Sequence, residues 1–173
     1  MRNYRGLTLV ELLISISLMA VLLASAAPGY RQFVERQQAA GLHNRLMAQF
    51  AFARSQAILQ RANTVLCPSD LSQERCRAGG DWGERWLVFV DSNGNLQRDN
   101  NETVLSVDAA DLPSGWRLVS SAYRPRVRYR PNGMAPGSNL SIRLCKGSAP
   151  YSAIVMNNAG RPRIDRQPSG GCE

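Results

Sequence analysis

The pattern of apolar and polar positions divides the chain into three stretches. From Leu7 to Ala27 apolar residues are almost unbroken and Glu11 is the only charge. At ~1.5 Å per residue a helix over this run is about 31 Å long, enough to cross the hydrocarbon core of a membrane. Beyond Pro28, Leu42, Leu46, Phe50, Ala53 and Ala57 recur at steps of four, four, three and four, which is one face of an amphipathic helix. Arg36, Arg45, Arg54 and Arg61 fall mostly elsewhere. The pattern predicts one long helix from Leu7 to Arg61, membrane-bound in its first half and packed on a head in its second, with Ala39-Ala40-Gly41 able to loosen it. His43, the only histidine, is expected on the helix surface. From Asn63 short strands are predicted at Thr64–Cys67, Trp86–Val90, Thr103–Val107, Trp116–Ser120, Arg126–Arg130, Leu140–Cys145 and Ala153–Met156, with Gly, Pro, Asn and Asp between many of them. Helix and head together make an α+β protein.

The start of the apolar run differs from a secretory signal. The basic leader ends in Gly6 before the run begins, and Ala24-Ser25-Ala26, which has the small residues of a cleavage site, is followed by an unbroken helical pattern. A carboxylate one turn inside a membrane helix costs about 2.5–3.5 kcal/mol, so Glu11 implies a function and a partner charge. Cleavage after Gly6 places the new amine of Leu7 one turn away. Gly6 followed by Leu7-Thr8-Leu9-Val10-Glu11-Leu12-Leu13 resembles the processing and assembly signal of type IV prepilins and type II secretion pseudopilins, and Pro28 falls where many of these proteins have a helix-kinking proline. Leu7 departs from the family, in which phenylalanine is commoner there. The resemblance implies a leader 1–6 removed by a prepilin peptidase, methylation of Leu7, an assembly role for Glu11 and other pilin subunits as partners. It divides the chain into a transmembrane and assembly helix 7–27, an amphipathic helix 28–61 and a head 62–173.

Trp82-Gly83-Glu84-Arg85-Trp86-Leu87-Val88-Phe89-Val90-Asp91, with the loop Ser92 to Asn95 and the strand Glu102 to Val107, resembles the head of GspH/FimT-type minor pilins and pseudopilins. The loop also lies on the calcium-loop pattern, with oxygens at Asp91, Asn93, Asn95, Asp99 and Glu102. Its sixth position is Leu96 where glycine is needed, and strands flank it, so the expectation is a hairpin turn and no metal.

Charge changes the picture further. The net +8 is uneven: residues 1–111 hold eleven arginines and eleven acids, whereas residues 112–173 hold nine arginines and Lys146 against Asp165 and Glu173. Such asymmetry points to a nucleic-acid or anionic-surface partner. Arg124, Arg126, Arg128 and Arg130 alternate with Pro125, Val127 and Tyr129, so on a strand they form a row with steps of about 6.8 Å. The row can follow a phosphate backbone, with Tyr123 or Tyr129 for stacking, or serve as a solubilising edge strand. Gly160-Arg161-Pro162-Arg163, with Arg166, resembles the Gly-Arg-x-Arg tail motif of FimT-type minor pilins that bind DNA in natural transformation. Gly160 permits a turn, Pro162 stiffens the segment, and arginine bonds phosphate bidentately.

The four cysteines include no C-x-x-C pair, and in an exported chain they read as two disulfides. Of three connectivities the local one, Cys67 with Cys76 and Cys145 with Cys172, is favoured; each loop contributes about 3 kcal/mol and the second pins the tail to the body. No phosphate-binding or dinucleotide glycine loop and no histidine-based triad is present, so neither enzyme nor cofactor is expected. The reading is a minor pilin, first in the inner membrane with its head in the periplasm and then in the extracellular fibre, that captures DNA through its phosphates. The alternative is a structural GspH-like pseudopilin, or a minor pilin that primes or caps a fibre.

Overall fold

The computed structural model describes residues 8–70 and 75–172. The leader and the Gly6–Leu7 processing point lie outside the described residues. Helix α1 spans Leu9–Gln60 and is helical through position 28. Its start is set by a capping box: Glu11 Oε2 accepts from Thr8 N and Thr8 Oγ1, both at 3.0 Å, and Thr8 Oγ1 accepts from Glu11 N at 3.3 Å. The chain divides into two compact units, 1–38 and 39–173. In the first, the large apolar side chains from Leu9 to Leu23 are exposed. A helix that is apolar on every side and uncovered by protein is suited to lipid.

The second unit holds the rest of α1 and eight strands: β1 (Thr64–Ser69), β2 (Arg85–Val90), β3 (Val104–Ala109), β4 (Trp116–Val119), β5 (Val127–Tyr129), β6 (Leu140–Lys146), β7 (Ala149–Met156) and β8 (Pro162–Asp165). They form two antiparallel sheets, β3-β2-β1-β5 and β4-β6-β7-β8. Ala39, Leu42, Leu46, Phe50, Ala53 and Ala57 of α1 are buried in one core with Leu66, Trp86 and Val88 of the first sheet and Leu118, Ile142, Leu144 and Ile154 of the second. Trp82 and Trp86 are fully buried and keep their indole N–H groups bonded, to Ser120 Oγ at 3.0 Å and to the Trp82 carbonyl at 2.9 Å.

β6 alternates as a half-buried strand should, with Leu140, Ile142 and Leu144 inward. β1 does not alternate and is buried along its whole length. The reason is a second apolar cluster, Val65, Cys67, Cys76, Leu87 and Phe89, on the other face of the first sheet, joined by Leu96 from the β2–β3 loop. The Cys67–Cys76 disulfide is part of that cover. The Cys145–Cys172 disulfide folds the tail over the second sheet, where Arg143 Nε donates to the Ser169 carbonyl at 3.3 Å.

His43 departs from expectation. It is buried on the core side of α1, with Nε2 hydrogen-bonded to Ser152 Oγ at 3.1 Å. Its position, four residues after Ala39 and three before Leu46, is on the apolar face, and one serine of β7 satisfies its polar atom.

Candidate functional site

Of the nine arginines of the last third of the chain, Arg128 and Arg163 lie on the edge strands β5 and β8, and Arg124, Arg126, Arg130, Arg161 and Arg166 flank them; β5 closes one side of the first sheet and β8 one side of the second. These edges meet through Gly160. Its φ of +72° makes the turn from β7 into β8, and a Cβ there would lie 2.8 Å from both the Gly133 carbonyl and the Tyr129 ring. Only glycine fits. The Gly160 carbonyl accepts from Tyr129 Oη at 3.3 Å and from Arg54 Nη1 at 3.4 Å, which ties the turn to β5 and to α1.

Beyond the turn the chain forms a strand that the sequence did not predict. Pro162 lacks an N–H, which is tolerated at the first position of an edge strand, and it pairs with Met156. Register puts Pro162 and Ile164 on the same side as Met156 and Ile154, and Arg163 on the opposite, outer side with Val155. Arg161, Arg163 and Arg166 are exposed. Arg161 also lines a groove of about 290 Å³ with Met47, Phe50, Arg54 and Tyr129. Arg54 and Arg143 belong to this basic region although sequence motifs did not single them out. The signal for Arg143 was its outward place in the alternation of β6.

The row Arg124, Arg126, Arg128 and Arg130 is shorter than expected. Pro125 and Pro131 confine β5 to three residues, since proline removes a donor and restricts the residue before it. Only Arg128 lies in the strand. Arg126 precedes it and both are half-buried, while Arg124 and Arg130 are exposed outside it. Burial holds the Arg126 guanidinium below its usual pKa. Of the two tyrosines considered for stacking, Tyr129 is fully buried and unsuitable, and burial pushes its phenol up. Tyr123 is 96% exposed.

The Asp91–Glu102 loop joins β2 to β3, and its own donors occupy its carboxylates. Asp91 accepts from Gly94 N at 2.9 Å and Leu96 N at 3.3 Å. Glu102 accepts from Ser92 N at 2.8 Å and Asp99 N at 3.1 Å, and Asp99 from the amides of Asn93 at 2.7 Å and Asn95 at 2.9 Å. Burial pushes the Asp91 carboxyl up, against the pull of those two backbone donors. Leu96 does adopt a left-handed φ of +64°, and its side chain packs on the outer apolar cluster. Among the described residues no group of three or more Asp, Glu, His or Cys is placed to share a metal ion.

A long apolar N-terminal helix followed by a helix-backed head of two antiparallel sheets is the architecture of a type IV pilin-like protein. The prokaryotic N-terminal methylation motif matches residues 1–27. The Type II transport protein GspH family matches residues 43–160, more than half of the chain, and the protein belongs to that family. Among solved structures it is similar to the type IV minor pilin FimU of Pseudomonas aeruginosa in two crystal forms. One is 20% identical with a TM-score of 0.56, covering 79% of this chain and 92% of FimU. The other is 18% identical with a TM-score of 0.53, covering 73% and 91%. At this identity the likeness shows the fold. No curated protein matches the chain.

Proposed function

We propose that this protein is a minor pilin of a type IV pilus that binds extracellular DNA, largely independently of sequence, for uptake in natural transformation. In this reading a prepilin peptidase cuts after Gly6 and methylates Leu7. The helix crosses the inner membrane with the head in the periplasm, and Glu11 registers the subunit against other pilins in the fibre. The observation that carries the DNA partner is the exposed edge of β8: Arg161 and Arg163, with Arg166 just beyond, reach no carboxylate among the described residues. Exposed guanidinium groups suit phosphates, which carry no base identity, so binding is expected to be indifferent to sequence.

The test is titration of the full chain in uncharged detergent with a random-sequence duplex at several salt concentrations. Neutralising three or four phosphates gives a fall of log K with log salt at a slope of about 3–4. A slope near zero sinks the mechanism. The GspH family match favours a second reading, a subunit of a type II secretion pseudopilus whose basic edge contacts neighbouring subunits; no binding to DNA at low salt leaves that reading in front.

A further inference from the structure

Beside β5 lies a groove of about 350 Å³ lined by Leu96, Tyr123, Arg124, Arg126, Arg128 and Ser138, among others. A second groove of about 350 Å³ adjoins it, and Tyr123 and Arg124 line both, so these two side chains form the ridge between them. Tyr123 sits in a turn closed by Arg124 N donating to the Ser121 carbonyl at 3.3 Å, and it is 96% exposed. An aromatic ring this uncovered contributes little to a core.

The cations of the groove are recessed, unlike those of β8. The Nε groups of Arg126 and Arg128 are buried and have no hydrogen-bond partner. Neither side chain forms an ion pair among the described residues. With its amide oriented to satisfy both groups, Gln97 accepts from Arg126 at 2.7 and 3.2 Å, but this partner is neutral. Asp91 is the carboxylate whose field reaches Arg128, and its oxygens already serve Gly94 and Leu96. The two Nε atoms are closed to solvent, so what the groove offers a ligand is the charge of two guanidinium groups that no carboxylate bonds among the described residues, which suits an anion.

A duplex keeps its base faces stacked inside and offers phosphates on a convex cylinder, which suits exposed arginines on an edge. A groove at the small end of the range for ligand sites, ~300–1,000 Å³, admits one flexible nucleotide unit and excludes a cylinder. Unpaired bases also present π-faces that stack on exposed aromatics.

We propose that the groove beside β5 is a single-strand site, in which an unpaired base stacks on Tyr123 and the adjoining phosphate is held by Arg126 and Arg128. The proposal rests on the DNA-binding reading and specifies the state of the strand. The test compares the full chain in uncharged detergent with fluorescent oligothymidine and with a duplex of the same length at one salt concentration, for wild type, Tyr123→Ala, Tyr123→Trp and Arg126→Gln. Loss of the stack weakens single-strand binding about fivefold to 150-fold. The expected result is that loss in Tyr123→Ala, its recovery in Tyr123→Trp, and duplex binding within twofold of wild type in both. Arg126→Gln is expected to lower the single-strand salt slope by about 0.7. Single-strand binding unchanged in Tyr123→Ala, or equal losses for both forms of DNA, overturns the proposal while the DNA reading stands. Wild type that binds neither form overturns both.

Discussion

Arg45 reaches Asp108 at 2.7 Å and Asp111 at 2.9 Å, and Arg77 reaches Glu84 at 2.8 Å and Asp81 at 3.2 Å. In the last third of the chain none of the nine arginines pairs with a carboxylate among the described residues. In one region the guanidinium joins elements of the head, as Arg45 joins α1 to β3 and the residues after it. In the other it stands mostly on or beside the edge strands, with its charge uncompensated among the described residues. A net charge of +8 becomes a local field only because the acids sit where they neutralise other arginines.

The second group can be displaced without touching an arginine. Gly160→Ala puts a Cβ 2.8 Å from the Gly133 carbonyl and the Tyr129 ring at a left-handed φ. The left-handed backbone and the overpacking together cost about 3 kcal/mol. Denaturant unfolding is expected to show that loss, with weaker DNA binding because Arg161 follows the displaced turn. Unchanged stability means that the turn tolerates a side chain and that the edges are not joined there.

Next in size is the double variant Arg161→Ala, Arg163→Ala. Loss of two phosphate contacts lowers the duplex salt slope by about 1.8, which is roughly 60-fold in affinity at 0.1 M when 1 M is the reference. The melting temperature is expected to hold, since exposed, unpaired side chains contribute little to the fold. A full-strength salt slope in this variant removes β8 from the interface.

Arg45→Ala should give the converse result. Burial works to raise the Asp108 carboxyl, and Arg45, with smaller help from the Ala109 N–H and Gln49, holds it below the usual range. Removing Arg45 leaves Asp108 with Gln49, at 3.3 Å, as its remaining side-chain donor. The pair is partly exposed, so the loss of stability is about 1 kcal/mol, with duplex affinity within twofold of wild type. A large loss of DNA affinity would dissolve the distinction between the two groups.

How far each group could be read from sequence follows from the range of the interactions involved. The apolar run, the helical face Leu42 to Ala57 and most strands were legible because helix and strand periods are local. The local cysteine pairing was also within reach, since both loops are short. The β8 strand was not, because Gly160 and Pro162 are turn residues in isolation and become strand residues only when β7 lies alongside. The arginine row was overextended for the opposite reason: its alternation was regular, but Pro125 and Pro131 shorten the strand that has to display it. Ion pairs such as Arg45 with Asp108 join residues 63 apart in sequence, and no spacing rule finds them.

His43 makes the stability of the head depend on pH. Burial lowers its pKa in the folded head. The unfolded chain takes up its proton near pH ~6.5, so the folded state lags behind it. Stability is therefore full above that pH, declines as pH falls from there through the folded pKa, and is level below, because the unfolded state binds more protons in that window. Lowering the pH creates inside the core what the edges show outside, a cation that pairs with no carboxylate among the described residues, with Ser152 as its hydrogen-bond partner. His43→Gln keeps a polar group near Ser152 but does not titrate. The difference between wild type and variant, measured by denaturant unfolding from pH 7.5 to 5, cancels the contributions of carboxylates common to both. The expected outcome is a shallower decline in the variant, the smallest of the four effects. Parallel curves would place His43 in water, and the duplex salt slope, set by exposed guanidinium groups and not by the buried His43, should stay constant across the same range.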